Sequence, residues 1–368
     1  MRRLLMTRPL RIATVFSGIG SFEQALLLEG IPHEILFACD NGERELPPEK
    51  EDRIQYALKT YGINKAEPVA KKIYNELRKP NFVKQTYFAN YAITEERWKE
   101  DIRFVNGAPF KDQIDIFVGG SPCQSFSMMG KRRGLEDTRG TLFYEFARII
   151  TEAQPKVFIY ENVPGMLTHD SGKTWETIRN IFQDLGYALE IKILNAADYG
   201  LPQNRKRLFV VGFKEDKNFK FEDPIPLTKF ATSYLETNVA TRFYLGKKGF
   251  EFVTNPKYLG RARINQKVIR TQKANQQFNW NGDFIFEPLE KVIDRPEIFS
   301  RAYVGYWEGT KGVCRQLTHR ECFRLMGYPD SFKIVVPNVQ AYRQAGNSIA
   351  VNVMQMIIRS IIRTGVFE

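Results

Sequence analysis

The sequence predicts an α/β protein, a doubly wound, mostly parallel sheet of Rossmann-like type with a smaller strand-rich domain beside it. Three observations predict this. Residues 11 to 30, RIATVFSGIGSFEQALLLEG, run a β-branched strand from Ile12 to Phe16 into a turn at Gly18 and Gly20, then into a helix with apolar spacing from Phe22 to Leu28. Strands and helices keep alternating to about residue 225, the pattern of a doubly wound domain. From about Asp223 that pattern breaks into short aromatic and β-branched runs, with turns at Gly246, Asn255, Gly260 and Asn281.

The first βα unit is of the nucleotide-binding type, although its F-x-G-x-G lacks the third glycine of the dinucleotide fingerprint, and an ordinary tight βα loop would look the same. The second strand, ILFAC, ends on Asp40. A carboxylate about twenty residues beyond the glycines can take both hydroxyls of a ribose, which points to an adenosine-bearing cofactor. Further on, EDIRFV places Asp101 and Ile102 before the strand IDIFVGG. Asp101 can accept from an adenine amino group; alone it would be a surface charge.

Residues 117 to 127, FVGGSPCQSFS, carry an apolar strand into a turn that presents one thiol, Cys123. Free cysteine is often a buried filler. Here Gly119 and Gly120 allow close backbone approach, Pro122 fixes the turn, and Gln124, Ser125 and Ser127 surround the sulfur with polar groups, which suits a nucleophile better than a core. None of the three histidines, His33, His169 and His319, lies in a motif that would make it the thiol's base. PKVFIYENV is a buried strand ending in Glu161 and Asn162, so a carboxylate stands at the edge where parallel sheets place ligands, unless it only caps the next turn. QNRKRLFVVG then sets Arg205 and Arg207 on one face at period two, suited to an anion or a carbonyl oxygen.

The 368 residues suffice for two domains and a sizeable core. With 54 Lys and Arg against 42 Asp and Glu, a net charge of +12 favours a polyanionic partner. Cys39, Cys123, Cys314 and Cys322 include no C-x-x-C and no histidine-rich companion, which implies neither a metal site nor a disulfide framework, and a reducing setting. The basic start MRRLLMTRPLR is broken by Arg8 and Pro9 and makes no signal h-region, and no apolar run is long enough for a membrane, so the expected location is cytoplasmic.

Taken in order, these motifs resemble those of the bacterial DNA (cytosine-5)-methyltransferases. FSGIG is similar to the family's cofactor loop, PCQ to its nucleophile motif, ENV to its base-recognition motif and QNRKR to its paired-arginine motif. RQLTHRECFRLMGYPDSF resembles the late motif that organises the recognition region, and QAGNSIAVNV the C-terminal cofactor motif. The resemblance implies a methyltransferase fold that uses S-adenosylmethionine, releases S-adenosylhomocysteine, and methylates carbon 5 of a flipped-out cytosine in a specific double-stranded DNA sequence. Cys123, Glu161, Arg205 and Arg207 would be catalytic. Phe16, Ser17, Gly18 and Gly20 would line the cofactor turn, Asp40 hold the ribose, Asp101 and Ile102 the adenine, and Pro122 lie beneath the methionine. Leu142, on spacing alone a core residue, and Asn347 with Ser348 would complete that pocket.

The resemblance also implies a restriction-modification setting, a monomer, and at most a cognate endonuclease that acts without direct contact. The expected domains are a catalytic and cofactor-binding part at 1–226, target recognition at 227–318, a hinge and recognition-organising segment at 319–342, and a C-terminal helix at 343–368 that returns to the first domain. Within 241–275, nine basic residues face the single acid Glu251 and alternate with aromatics, a composition suited to DNA. Arg261, Arg263, Lys267 and Arg270 are the expected contacts there. Gln124, Ser127 and the loop residues Lys131, Arg132 and Arg133 would meet DNA beside the nucleophile. Residues 41 to 100, longer than compact members need, read as a surface excursion, or alternatively as a supplementary DNA-facing flap. Two other functions compete, an RNA cytosine-5 methyltransferase of the same fold and a catalytically silent DNA-binding homologue. The recognition segment argues against the first and the intact Cys123, Glu161, Arg205 and Arg207 against the second.

Overall fold

A computed structural model describes residues 8 to 121 and 142 to 368. The chain forms two compact units, one made of Met1–Leu194, Lys206–Glu222 and Met354–Glu368, the other of Asn195–Arg205 and Asp223–Val353. The expected change near Asp223 thus coincides with a boundary. The second unit, however, keeps the late motif and runs on to Val353, and it also takes the strip before Arg205. A buried ion pair between Arg315 and Glu321 and a capping box at Thr318 tie the start of the late motif to the second unit's sheet.

The first unit is built on β1 (Leu10–Val15), β2 (His33–Cys39), β3 (Trp98–Lys99), β4 (Ile116–Gly119), β5 (Val157–Asn162), β6 (Ala188–Asn195) and, after β7 (Gln203–Asn204) of the second unit, β8 (Lys206–Phe213). The sheet order is β3-β2-β1-β4-β5-β8-β6. Strands β1 to β5 pair in parallel and β8 runs antiparallel to β5, giving the mostly parallel α/β sheet the sequence predicts. The middle strands read as near-continuous apolar runs because helices cover both faces. Helices α1 (Ser21–Leu28), α4 (Leu142–Ala153) and α5 (Lys173–Asp184) flank it, and Phe117 stacks on Phe146 at 4.8 Å while Phe158 meets Phe182 at 4.5 Å.

Residues 41 to 100, expected as a surface excursion, are helical. They form α2 (Pro48–Asn75), kinked at Gly62, and α3 (Phe82–Asn90), whose first turn is capped by the Asn81 side chain. Apolar residues at helical spacing, Ile54, Ala57, Ala66, Ala70, Ile73 and Tyr74, bury a core of their own with Phe104.

The second unit carries β9 (Ala262–Ile264), β10 (Ile269–Arg270), β11 (Gly282–Pro288), β12 (Val304–Trp307) and β13 (Thr310–Gln316). Four of them form a sheet in the order β12-β13-β11-β9, and β10 pairs with β7. Helices α6 (Lys247–Thr254), α7 (His319–Arg324) and α8 (Asn338–Asn347) complete it. The last helix, α9 (Val351–Ile362), begins in this unit and continues into the first, where Arg359 pairs with Glu29 and Glu222. The C-terminal helix expected within 343–368 is α9, which follows the extended residue Ser348, and the separate helix α8 ends just before it at Asn347.

Candidate active site

In the first unit the carboxyl ends of β2, β1, β4 and β5 lie along one sheet edge, and each delivers a residue the sequence analysis singled out. Beyond β1 the backbone turns through three left-handed residues, Phe16 (φ 53°), Gly18 (φ 54°) and Gly20 (φ 75°). A left-handed conformation at a bulky residue such as Phe16 costs about 1–2 kcal/mol, which the packing of its ring against the core offsets. Asp40, just past β2, accepts from the Gly18 amide through Oδ2 at 2.9 Å and from the Gly42 amide through Oδ1 at 2.8 Å. Withdrawal from water pushes its carboxyl above the usual range, while the two amides pull it back. Ser17 is tied by its amide to the Cys39 carbonyl at 3.1 Å and by its hydroxyl to Thr14 at 2.8 Å.

Asp101 caps the short turn Ile102–Phe104 by accepting from the Arg103 amide. Its carboxylate also receives the Arg103 guanidinium at 2.6 Å and the Tyr74 hydroxyl at 2.9 Å. The carboxylate is thus more heavily engaged than a lone adenine acceptor. Ile102 is buried in the core, and Leu142 is half-buried at the start of α4.

At the end of β5, Glu161 Oε1 lies 3.0 Å from Arg207 Nε, with both side chains largely shielded from water. Register explains the meeting: Asn162 pairs with Leu208 across the antiparallel β5–β8 pair, so Arg207 arrives beside the strand end that carries Glu161. Gly120 is pressed against Glu161, where a Cβ would stand 2.7 Å from its carbonyl oxygen, and this close approach requires glycine. Ser121 is held by Tyr160 at 2.7 Å, and its carbonyl accepts from Asn162 Nδ2 at 2.9 Å. The chain that leads from β4 toward Cys123 is therefore fastened to the Glu161 strand. Cys123 itself, with Pro122, Gln124, Ser127, Lys131, Arg132 and Arg133, lies outside the described residues. The three described cysteines, Cys39, Cys314 and Cys322, are all buried, and burial pushes their thiols up, that of Cys314 to about 12. Such thiols are inert at neutral pH.

Arg205 and Arg207 do not share a strand face, because Arg205 precedes β8. In the second unit Arg205 is buried and donates to the carbonyls of Gln272 (2.9 Å), Gly346 (3.1 Å) and Ser348 (2.6 Å). Gln203 works beside it, donating to Leu325 O at 2.7 Å and accepting from the Gln272 amide at 3.0 Å. The first half of QNRKR is thus a strut that fixes the turn carrying Asn347 and Ser348, whose hydroxyl meets Tyr328 at 2.7 Å. Sequence reasoning missed Gln203 and the strut. Its only signal was a glutamine and an arginine ahead of an apolar strand.

Of the basic residues expected to meet DNA, Arg261, Arg263 and Lys267 are exposed, Arg261 over the Phe252 ring at 5.3 Å and Lys267 over Phe230 at 5.7 Å. Arg270 differs, since its guanidinium holds the carbonyls of Gly260, Arg261 and Gly282 at 2.7–2.8 Å and ties together the starts of β9 and β11. Among the described residues no cluster of His, Cys, Asp or Glu could hold a metal ion, and no helix is long and apolar enough to cross a membrane.

This α/β sheet edge carries a glycine turn and carboxylate on one side and a carboxylate–guanidinium pair on the other, at the strand ends where such sheets place ligands. The chain belongs to the C-5 cytosine-specific DNA methylase family, whose model matches residues 10–363. It is a DNA (cytosine-5) methyltransferase. It is 35% identical over 287 residues to the type II methyltransferase M.HhaI of Haemophilus parahaemolyticus, covering 76% of this chain and 84% of that one. With the type II methyltransferase M.HpaII of Haemophilus parainfluenzae it shares 37% over 294 residues, 76% and 79% of the two chains. Among solved structures, the Dnmt2 methyltransferase of S. pombe superposes with a TM-score of 0.60 at 17% identity, covering 97% of this chain and 99% of that one, a likeness of fold.

Proposed function

We propose that the protein transfers a methyl group from S-adenosylmethionine to carbon 5 of a cytosine rotated out of a specific double-stranded DNA sequence, as the modification enzyme of a restriction-modification system. The observation that carries the reading is the Glu161–Arg207 pair, set along one sheet edge with the glycine turn and Asp40. The turn fits an adenosyl ligand. Gly18 has open space where a Cβ would project, its amide is pinned by Asp40, and each Asp40 oxygen keeps a lone pair for a ribose hydroxyl. When bound, S-adenosylmethionine supplies an electrophilic methyl on a sulfonium.

Carbon 5 of cytosine is too weak a nucleophile to take that methyl unaided, so the Cys123 thiolate adds to carbon 6 and its electron pair raises the density at carbon 5. Glu161, in its carboxylic acid form, donates a proton to ring nitrogen 3 as this charge develops. Arg207, held against Glu161, offers its remaining N–H groups to the ring carbonyl. After methyl transfer a base removes the carbon 5 proton, the Cys123–carbon 6 bond breaks, and ring nitrogen 3 returns its proton to Glu161, which restores the thiolate, the acid and the neutral aromatic ring. Extruding the base costs a few kcal/mol of stacking and pairing, which contacts to the displaced strand and phosphates must offset. Arg205 acts in this account through the strut it builds and not on the ring. The exposed Arg261, Arg263 and Lys267 make the second unit the reader of DNA.

Bisulfite sequencing of DNA from a host expressing the protein, beside the same assay on RNA, tests the reading. Methylated cytosines at one recurring DNA sequence are expected; methylation confined to RNA would replace this reading with its RNA-directed alternative.

A further inference from the structure

We infer that residues 41 to 100 are the outer wall of the cofactor site, with Tyr74, Asn81 and Tyr91 as its positioning residues. The inference rests on reading the turn at Gly18, Asp40 and Asp101 as the S-adenosylmethionine site, and it extends that reading to a segment with no motif of its own.

Each of the three reaches a different part of that site. The Tyr91 hydroxyl donates to the Gly20 carbonyl at 2.6 Å and lies 3.1 Å from that of Ile19, while its ring lies so close over Gly20 that no side chain fits there. Asn81 donates through Nδ2 to the Asp40 carbonyl at 2.8 Å, and its Oδ1 caps α3 at the Lys84 amide, so the helix and the ribose carboxylate share one anchor. The Tyr74 hydroxyl donates to Asp101 Oδ2 at 2.9 Å from the last turn of α2. Behind them Tyr87, one turn before Tyr91 on α3, donates to the buried Glu23 at 2.6 Å. Glu23 also accepts from Thr14 at 2.9 Å, and Thr14 holds the Ser17 hydroxyl. All four residues of the segment are buried.

This is the arrangement expected of a wall and not of a flap. A DNA-facing flap would turn its polar groups outward; here the tyrosine hydroxyls and the asparagine amide are spent on the three loops that would touch the adenosyl group. A turn with left-handed residues at positions 16, 18 and 20 has many alternative conformations when free, and restraining it before the ligand arrives removes an ordering cost from binding.

Tyr91→Phe and Tyr74→Phe each delete one hydroxyl and keep the ring. Calorimetry with S-adenosylmethionine and S-adenosylhomocysteine on the full-length protein should show each variant binding about 3- to 10-fold more weakly, the scale of one lost hydrogen bond. At saturating cofactor the kcat and the KM for DNA should stay within about twofold of wild type. Tyr56→Phe, at an exposed ring on α2, should change none of these. Asp40→Ala separates the two levels of the claim. If it weakens the cofactor while both tyrosine variants bind as wild type does, the wall is overturned and the cofactor reading stands. If it too leaves affinity unchanged, both fall. A raised KM for DNA with unchanged cofactor affinity, or a lowered melting temperature alone, would likewise overturn the wall.

Discussion

Arg207 Nε stands 3.0 Å from Glu161 Oε1, so the carboxylate and the guanidinium assigned to the two sides of a cytosine ring orient each other before any base arrives. The antiparallel register of β5 and β8 enforces that distance, and Gly120 leaves the room for it. A pair held this way presents a fixed array of donors, the condition under which electrostatic stabilisation is most effective.

Glu161→Gln should therefore lower kcat by about 10²- to 10⁴-fold, the usual worth of a positioned proton donor, since the amide keeps a hydrogen bond but supplies no proton. Arg207→Met should cost about 10²- to 10³-fold. DNA affinity, measured by fluorescence anisotropy, should remain near wild type in both. A wild-type kcat for either variant would remove that residue from the chemistry.

Arg205→Met should behave differently from Arg207→Met. It strands the carbonyls of Gln272, Gly346 and Ser348 without their donor, at about 1–3 kcal/mol for each left buried and unsatisfied. The expected signature is a lower melting temperature and a lower midpoint in urea. Wild-type stability with a lost kcat would instead return Arg205 to the catalytic group.

Burial holds the Glu23 carboxyl above the usual carboxylate range, against the hydrogen bonds from Tyr87 and Thr14. The folded protein binds that proton more tightly than the unfolded chain does. This group therefore favours folding below the unfolded value, about 4.3, and the contribution is lost as pH rises through the raised folded value. Glu23→Gln keeps the acceptor and removes the charge. Its melting temperature should exceed that of wild type at pH 8, with the advantage shrinking toward pH 4; a difference independent of pH would contradict the assignment.

Sequence specificity should travel with the second unit. Replacing residues 227 to 318 by the corresponding part of a relative with a different target should transfer the target and leave the chemistry in place, as read by bisulfite sequencing. An active hybrid that keeps its parent's target would locate recognition elsewhere.

Much of the first unit was legible because its signals are local. A β-branched strand, two glycines and a carboxylate at the end of the next strand specify a turn that needs no distant partner. The same holds for the apolar run that ends at Glu161. Arg205 was misread as a strand-face partner of Arg207 because periodicity along a strand says nothing about where the strand starts. Only the three carbonyls it meets, from residues far along the chain, decide its role. Arg270 was opaque for the same reason: a guanidinium that ties two strand starts together and one that waits for phosphate have the same letter and the same neighbours. Residues 41 to 100 resisted reading because their function lies in single hydroxyls and one amide pointing inward. Tyr87 on α3 and Tyr91 just past its end were its trace in the sequence.

The central claim, covalent catalysis through Cys123, is tested most directly by incubating the protein with S-adenosylmethionine and duplex DNA carrying 5-fluorocytosine at the target position. After addition of the thiolate and methyl transfer, fluorine occupies the place of the proton that must leave, so elimination stops. The predicted result is a DNA–protein adduct that survives denaturing electrophoresis, maps by peptide mass to Cys123, and is absent from Cys123→Ser, which should still bind the cofactor. Full turnover on this substrate, or an adduct on another residue, would contradict it.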